Sequence, residues 1–117
     1  MTEFRIELPL PPPANSAYPT NWRTKRRYLS PAGKAWKTEA GWLVQIVNPP
    51  KILGPYEFQI LVPDRLVGDV DGRIKLAQDL MVELGVTPDD RMARESRATR
   101  DGEVPQGKCI VSVRAVS

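Results

Sequence analysis

With 117 residues, 17 basic against 14 acidic side chains for a net charge of +3, and one cysteine, the chain has room for a single domain and no internal disulfide. No run approaches the roughly 20 apolar residues of a membrane span, and the acidic, proline-rich start lacks a signal peptide's basic and apolar regions, so a soluble cytoplasmic protein with no membrane partner is expected. The absence of histidine removes the usual general base and the commonest transition-metal ligand, which leaves carboxylates, lysine and a hard metal for any hydrolysis.

Phe4, Ile6, Leu8 and Leu10 alternate with polar or proline positions, which predicts a strand closed by Pro11-Pro12-Pro13. Residues 14–29 read as a loop. No acidic residue stands between Glu7 and Glu39, whereas Arg23, Lys25, Arg26, Arg27, Lys34 and Lys37 all fall in that gap, with Trp22, Tyr28 and Trp36 among them. Such a one-sign field with interleaved rings suits phosphates and stacked bases; a solvated loop with core aromatics is the ordinary alternative. Ser30 as N-cap and Pro31 at the first helical position open a helix over 31–47, carried by Trp36, Ala40, Leu43, Val44 and Val47 and stopped by Asn48-Pro49-Pro50.

Tyr56, Phe58, Ile60 and Val62 predict a second strand leading into a loop at Asp64. Ile74, Ala77, Leu80, Met81 and Leu84 mark a second amphipathic helix, with Gly85 placed to cap its end. Residues 94–99 and 109–116 read as a closing hairpin connected through Asp101-Gly102, with Cys109 a buried strand cysteine. The order β-α-β-α-β-β predicts an α+β fold, two helices against one small mixed sheet, forming one domain over residues 1–117.

The strand-to-helix junction concentrates the chemistry. Asp69 and Asp71 stand two residues apart, Lys75 follows one helical turn later, and the pair Asp89-Asp90 comes just past the helix. Carboxylates brought together repel one another unless a proton or a cation sits between them. Singly, each has an everyday role: Asp69 or Asp71 as a helix cap, Asp71, Lys75 and Asp79 as an i, i+4, i+8 ion-pair ladder, Asp89 and Asp90 as a turn. An EF-hand is excluded by spacing, because Gly72, Arg73 and Lys75 fall early in the loop and Leu80 takes its twelfth position. A hard metal accounts for the whole set: Asp69, Asp71 and Asp90 as ligands of one or two Mg²⁺ ions, with Lys75 either neutralising charge on the phosphoryl oxygens or orienting the attacking water.

The opening Leu8-Pro9-Leu10-Pro11-Pro12, the basic Arg26-Arg27-Tyr28-Leu29-Ser30 entering a helix, the strand end Pro63-Asp64-Arg65, and above all Asp69-x-Asp71-x-x-x-Lys75 followed by Gly85 and Asp89-Asp90 carry a resemblance across nearly the whole chain. In these features the sequence resembles the RusA family of Holliday-junction resolvases, small endodeoxyribonucleases common in prophages. The resemblance implies that Asp69, Asp71 and Asp90 are metal ligands for Mg²⁺ or Mn²⁺ and that Lys75 is the catalytic lysine. The family's separation from the first aspartate selects Asp90 over Asp89. It further implies a homodimer that nicks two opposing strands of a four-way DNA junction in a bacterial or phage-infected cell. Arg23, Lys25, Arg26, Arg27, Lys34, Arg65 and Arg73 are then the candidate DNA contacts. The chain departs from the family by carrying Leu66-Val67-Gly68 where arginines often precede the first aspartate, and Gly72 where asparagine often follows the second. A non-catalytic nucleic-acid-binding module of phage or prophage origin is the alternative function, and a protein-interaction subunit a third.

Overall fold

The computed structural model describes residues 2–66, 68 and 70–116. The alternation at the start becomes strand β1 (Glu3–Pro9), which buries Ile6 and Leu8 and exposes Arg5 and Glu7. The stretch expected to be loop is more ordered than its composition indicates. It contains a one-turn helix, α1 (Ala14–Ala17), and a small antiparallel hairpin of β2 (Thr20–Asn21) and β3 (Arg26–Arg27). The Lys25 N–H donates to the Asn21 carbonyl at 2.7 Å, with Lys25 itself in the left-handed region at φ +56°.

Helix α2 (Pro31–Val47) begins as its sequence dictates, the Ser30 hydroxyl accepting from the Gly33 N–H at 3.1 Å. It buries Gly33, Trp36, Ala40, Gly41 and Val44, and the Trp36 indole donates to the Pro9 carbonyl at 2.8 Å, tying the helix to the end of β1. Val47, expected on that stripe, lies beyond the last buried turn and is exposed. After β4 (Tyr56–Pro63) the chain makes a 3₁₀ turn over Asp71–Arg73 that runs straight into α3 (Ile74–Glu83). Gly85, at φ +72°, ends α3: its N–H bonds the Val82 carbonyl and the Val86 N–H bonds the Met81 carbonyl, a Schellman termination.

A second 3₁₀ turn (Asp90–Met92) leads into β5 (Ala93–Asp101), and β6 (Lys108–Ala115) closes the fold. The architecture is α+β, a mixed four-stranded sheet in the order β1-β6-β4-β5 with the separate β2-β3 pair and three helices. The registers Ile6–Val111–Ile60 and Phe4–Val113–Phe58 align apolar side chains across three strands, and these join Trp36, Ala40, Val44, Leu76, Leu80 and Met81 in one core. No helix among the described residues is long and apolar enough to cross a membrane.

The expected closing hairpin does not form. β5 pairs with β4 in parallel, β6 pairs with β4 antiparallel on its other side, and β4 separates the two. The reason lies in α3: a strand, a helix and a returning strand make a crossover that seats β5 parallel to the strand it came from. The Asp101-Gly102 connection therefore spans the end of β4 instead of making a tight turn.

Candidate functional site

That crossing shapes the junction after β4. Arg100, on β5, donates through one guanidinium nitrogen to the carbonyls of Asp64 at 3.0 Å and Leu66 at 2.6 Å. Gly102 comes so near the Asp64 carboxylate that a Cβ there would stand 2.8 Å from Oδ2. Farther on, Arg73 is buried and donates to the Pro11 carbonyl at 2.6 Å, fixing the 3₁₀ turn against the proline run behind β1. Arg73, expected among the DNA contacts, is thus drawn into the protein and bonded to backbone. Arg100 thus bonds the backbone at Asp64 and Leu66, and Arg73 pins the turn that carries Asp71.

Asp71 opens the 3₁₀ turn with its side chain exposed, and neither that turn nor α3 has a side-chain cap at its start. Helix capping therefore does not account for Asp71, which makes no hydrogen bond or ion pair with a described residue. Asp69 lies outside the described residues. Lys75, one turn into α3, has its ammonium 3.6 Å from Asp79 Oδ2 and 5.3 Å from the centroid of the Tyr18 ring. Only the Lys75–Asp79 half of the ion-pair ladder forms. The Tyr18 hydroxyl donates to the same Asp79 oxygen at 2.6 Å, and burial, reinforced by that bond, raises the phenol's pKa.

The loop after α3 brings in the last pair. The Tyr56 hydroxyl reaches the Pro88 carbonyl at 3.4 Å, while Gln78 of α3, buried, donates to Ser96 Oγ at 3.1 Å. Asp89 caps the second 3₁₀ turn by accepting from the Arg91 N–H at 2.9 Å and pairs with the Arg91 side chain at 3.3 Å. The Arg91 N–H first, then a hydrogen bond shared with Asp90 and the Arg91 guanidinium, hold its pKa down at about 2. Asp90 is pushed the opposite way, chiefly by the bond with Asp89, then by desolvation and the charges of Asp89 and Asp79, with Lys75 opposing. The adjacent aspartates therefore differ in kind: Asp89 serves the backbone, and Asp90 feels the opposed charges of Asp79 and Lys75.

Asp79, Val82, Glu83, Asp89 and Asp90 line an open groove of about 240 Å³. Lys37 of α2 neutralises Glu83 at 2.5 Å, which takes it out of the set of free cations. Among the described residues no three carboxylates stand close enough to hold a metal ion. The donor set that the sequence suggests includes Asp69, so Asp71 and Asp90 are the part of it that is described. A second cleft, about 210 Å³ on the open face of the sheet, is lined by Glu57, Glu95, Arg97 and Arg114 and compensates itself through Arg114–Glu57 and Arg97–Glu95 ion pairs.

The basic segment stands out from the protein on the β2-β3 hairpin. Trp22 is 84% exposed and Tyr28 half exposed, whereas Trp36 belongs to the core. The side chains of Arg23, Lys25, Arg26, Lys34 and Arg65 make no hydrogen bond or ion pair with a described residue and are exposed. Arg27 donates through Nε to the Tyr18 carbonyl at 2.8 Å, so the hairpin is anchored on the residue whose hydroxyl binds Asp79. Tyr18 and Arg100 are the site residues that the sequence did not disclose; Tyr18 fell in the stretch expected to be loop, and Arg100 just past the strand expected over 94–99, in the connection of a hairpin that does not form. No protein-family model matches the chain, and no curated protein matches it.

Proposed function

We propose that this chain is a metal-dependent, structure-selective endodeoxyribonuclease of the RusA type, which resolves four-way DNA junctions as a homodimer by paired phosphodiester hydrolysis. The observation that carries the reading is the exposed Lys75 on the first turn of α3, with Asp71, a carboxylate without a partner among the described residues, in the turn before it and Asp90 within reach of its charge, beside an exposed basic hairpin. The donor chemistry fits a hard cation: Asp71 is an exposed carboxylate without a partner among the described residues, and Asp90 is a carboxylate whose ionisation its acidic neighbours oppose.

Asp69, Asp71 and Asp90 would hold Mg²⁺ or Mn²⁺, which when bound supplies an activated water and polarises the scissile phosphate. The protein's own groups do the rest. Exposed Arg23, Lys25, Arg26, Lys34 and Arg65 take the flanking phosphates, and Trp22 offers a face to an unpaired base at the branch point. Lys75, over half exposed, presents N–H donors to the phosphoryl oxygens as negative charge grows on them.

The test is incubation of the purified protein with a synthetic four-way junction and with a linear duplex of the same sequence, with and without Mg²⁺. Symmetrical metal-dependent nicks in the junction are expected. Salt-sensitive binding without nicking would return the protein to the class of non-catalytic nucleic-acid-binding modules.

A further inference from the structure

Lys75 is the functional cation of that reading, and its surroundings are unusual for an exposed lysine. A plain i, i+4 surface pair involves two residues of one helix. Here Tyr18, 61 positions before Asp79 and on a different element, enters the same contact. Its hydroxyl takes Asp79 Oδ2 at 2.6 Å, a short and strong bond, whereas the Lys75 ammonium stands 3.6 Å from that oxygen, within ion-pair reach but beyond a hydrogen bond. The ring of Tyr18 lies under the ammonium at 5.3 Å, near enough for a cation–π attraction that orients the head without using its donors. An ammonium has three N–H donors, and this arrangement leaves them uncommitted. Burial and the Asp79 bond both keep the phenol protonated, so the donor is always present.

We propose that Tyr18 is a positioning residue: its hydroxyl holds the Asp79 carboxylate off Lys75 while its ring holds the ammonium in place, so that Lys75 meets a DNA phosphate with its donors free. The Arg27 bond to the Tyr18 carbonyl at 2.8 Å adds a consequence, because it joins the phosphate-facing hairpin to the residue that sets the lysine. The inference rests on the reading of Lys75 as the group that acts on the phosphoryl oxygens.

Tyr18→Phe keeps the ring and removes the hydroxyl. Asp79 Oδ2 then turns to Lys75, and the tight pair withdraws the ammonium. Single-turnover cleavage of a four-way junction should fall about tenfold with junction affinity unchanged within about twofold, and hydrogen exchange of the Lys75 ammonium, followed by NMR, should slow. The double change Tyr18→Phe with Asp79→Asn removes the competing carboxylate and should bring cleavage back to within about threefold of wild type, a rescue that a merely structural tyrosine would not give. In Asp79→Asn alone the Lys75 ammonium should exchange at the wild-type rate or faster, and this measurement tests the same idea should Tyr18→Phe fail to fold. A wild-type rate in Tyr18→Phe, a double variant as slow as the single, or slowed ammonium exchange in Asp79→Asn alone would overturn the proposal. The NMR measurement separates this inference from the nuclease reading: unchanged ammonium exchange in Tyr18→Phe sinks the positioning role even if the wild type cleaves, and a wild type that cleaves nothing sinks the nuclease reading even if exchange slows.

Discussion

Position 71 carries a carboxylate that the described residues leave without a partner, whereas position 89 carries one engaged by the Arg91 backbone and guanidinium. The difference predicts unequal results from the same chemical change. Asp71→Asn and Asp90→Asn should each abolish junction nicking while leaving binding within about twofold, since an amide is a poor hard-metal ligand yet adds no repulsion toward phosphate. Asp89→Asn should keep most of the activity at saturating Mn²⁺, because asparagine also caps a turn. Inactive Asp89→Asn beside active Asp90→Asn would show that the roles are reversed. A separate residue-scale expectation concerns Cys109, which is buried on β6 with its thiol pKa pushed up from 9.0 to about 12 by desolvation. A raised folded-state pKa means that the contribution is fully present below pH 9.0 and is lost as pH rises toward about 12, at no more than about 1.4 kcal/mol per pH unit. Urea unfolding between pH 8 and pH 11 should therefore show a shallower alkaline loss for Cys109→Ala than for wild type. Native protein should also resist iodoacetamide until denaturant is added, and rapid native alkylation would contradict the burial.

Among the elements, the β2-β3 hairpin is where the proposed nuclease and a plain solvated loop part company. If Arg26 and Arg27 contact phosphates, replacing both with alanine should reduce the slope of log K against log salt by roughly 1 to 2. An unchanged slope in a fluorescence-anisotropy titration would assign the pair to solvent and, for Arg27, to its bond with the Tyr18 carbonyl alone. The hairpin also marks the limit of what local sequence reveals. α2 and α3 were legible because their caps are local chemistry: Ser30 three residues before Gly33, Gly85 at a positive φ. β4 was legible because its alternating apolar side chains face the core. The partner of β5 was not, since Ala93–Asp101 is mostly exposed and strand pairing is decided by the crossover through α3, not by any residue of the strand. The same holds at the site. Asp71, Lys75 and Asp90 announce themselves by spacing along one segment, but Tyr18 and Arg100 act on residues 61 and 34 to 36 positions away and leave no local signature.

Across the protein's exterior, the outward side of α2 carries a second exposed apolar surface, apart from Trp22 and Tyr28 of the basic segment. Trp42 is 68% and Ile46 75% exposed, one turn apart on the side of α2 turned away from its buried stripe, and Val47 and Leu53 are exposed as well. Scattered exposed apolar residues need no cover, but a tryptophan and an isoleucine at i, i+4 form a patch that water penalises. Under the proposed activity, paired incisions in the two opposed strands of a four-way junction call for two equivalent sites, and hence for a second copy of this chain. A stable two-fold interface takes about 800 Å² from each partner with an apolar centre, and this patch can supply that centre, with the neighbouring polar side chains as its rim. The wild-type protein is therefore expected to scatter light as a dimer at micromolar concentration. Trp42→Glu combined with Ile46→Glu should give a monomer of unchanged circular dichroism, because neither side chain contributes to the core. That monomer should still make single nicks while losing the paired incisions that release a linear duplex. A wild-type monomer with full paired cleavage would rule out the dimer, and a double variant that remains dimeric would move the interface off α2.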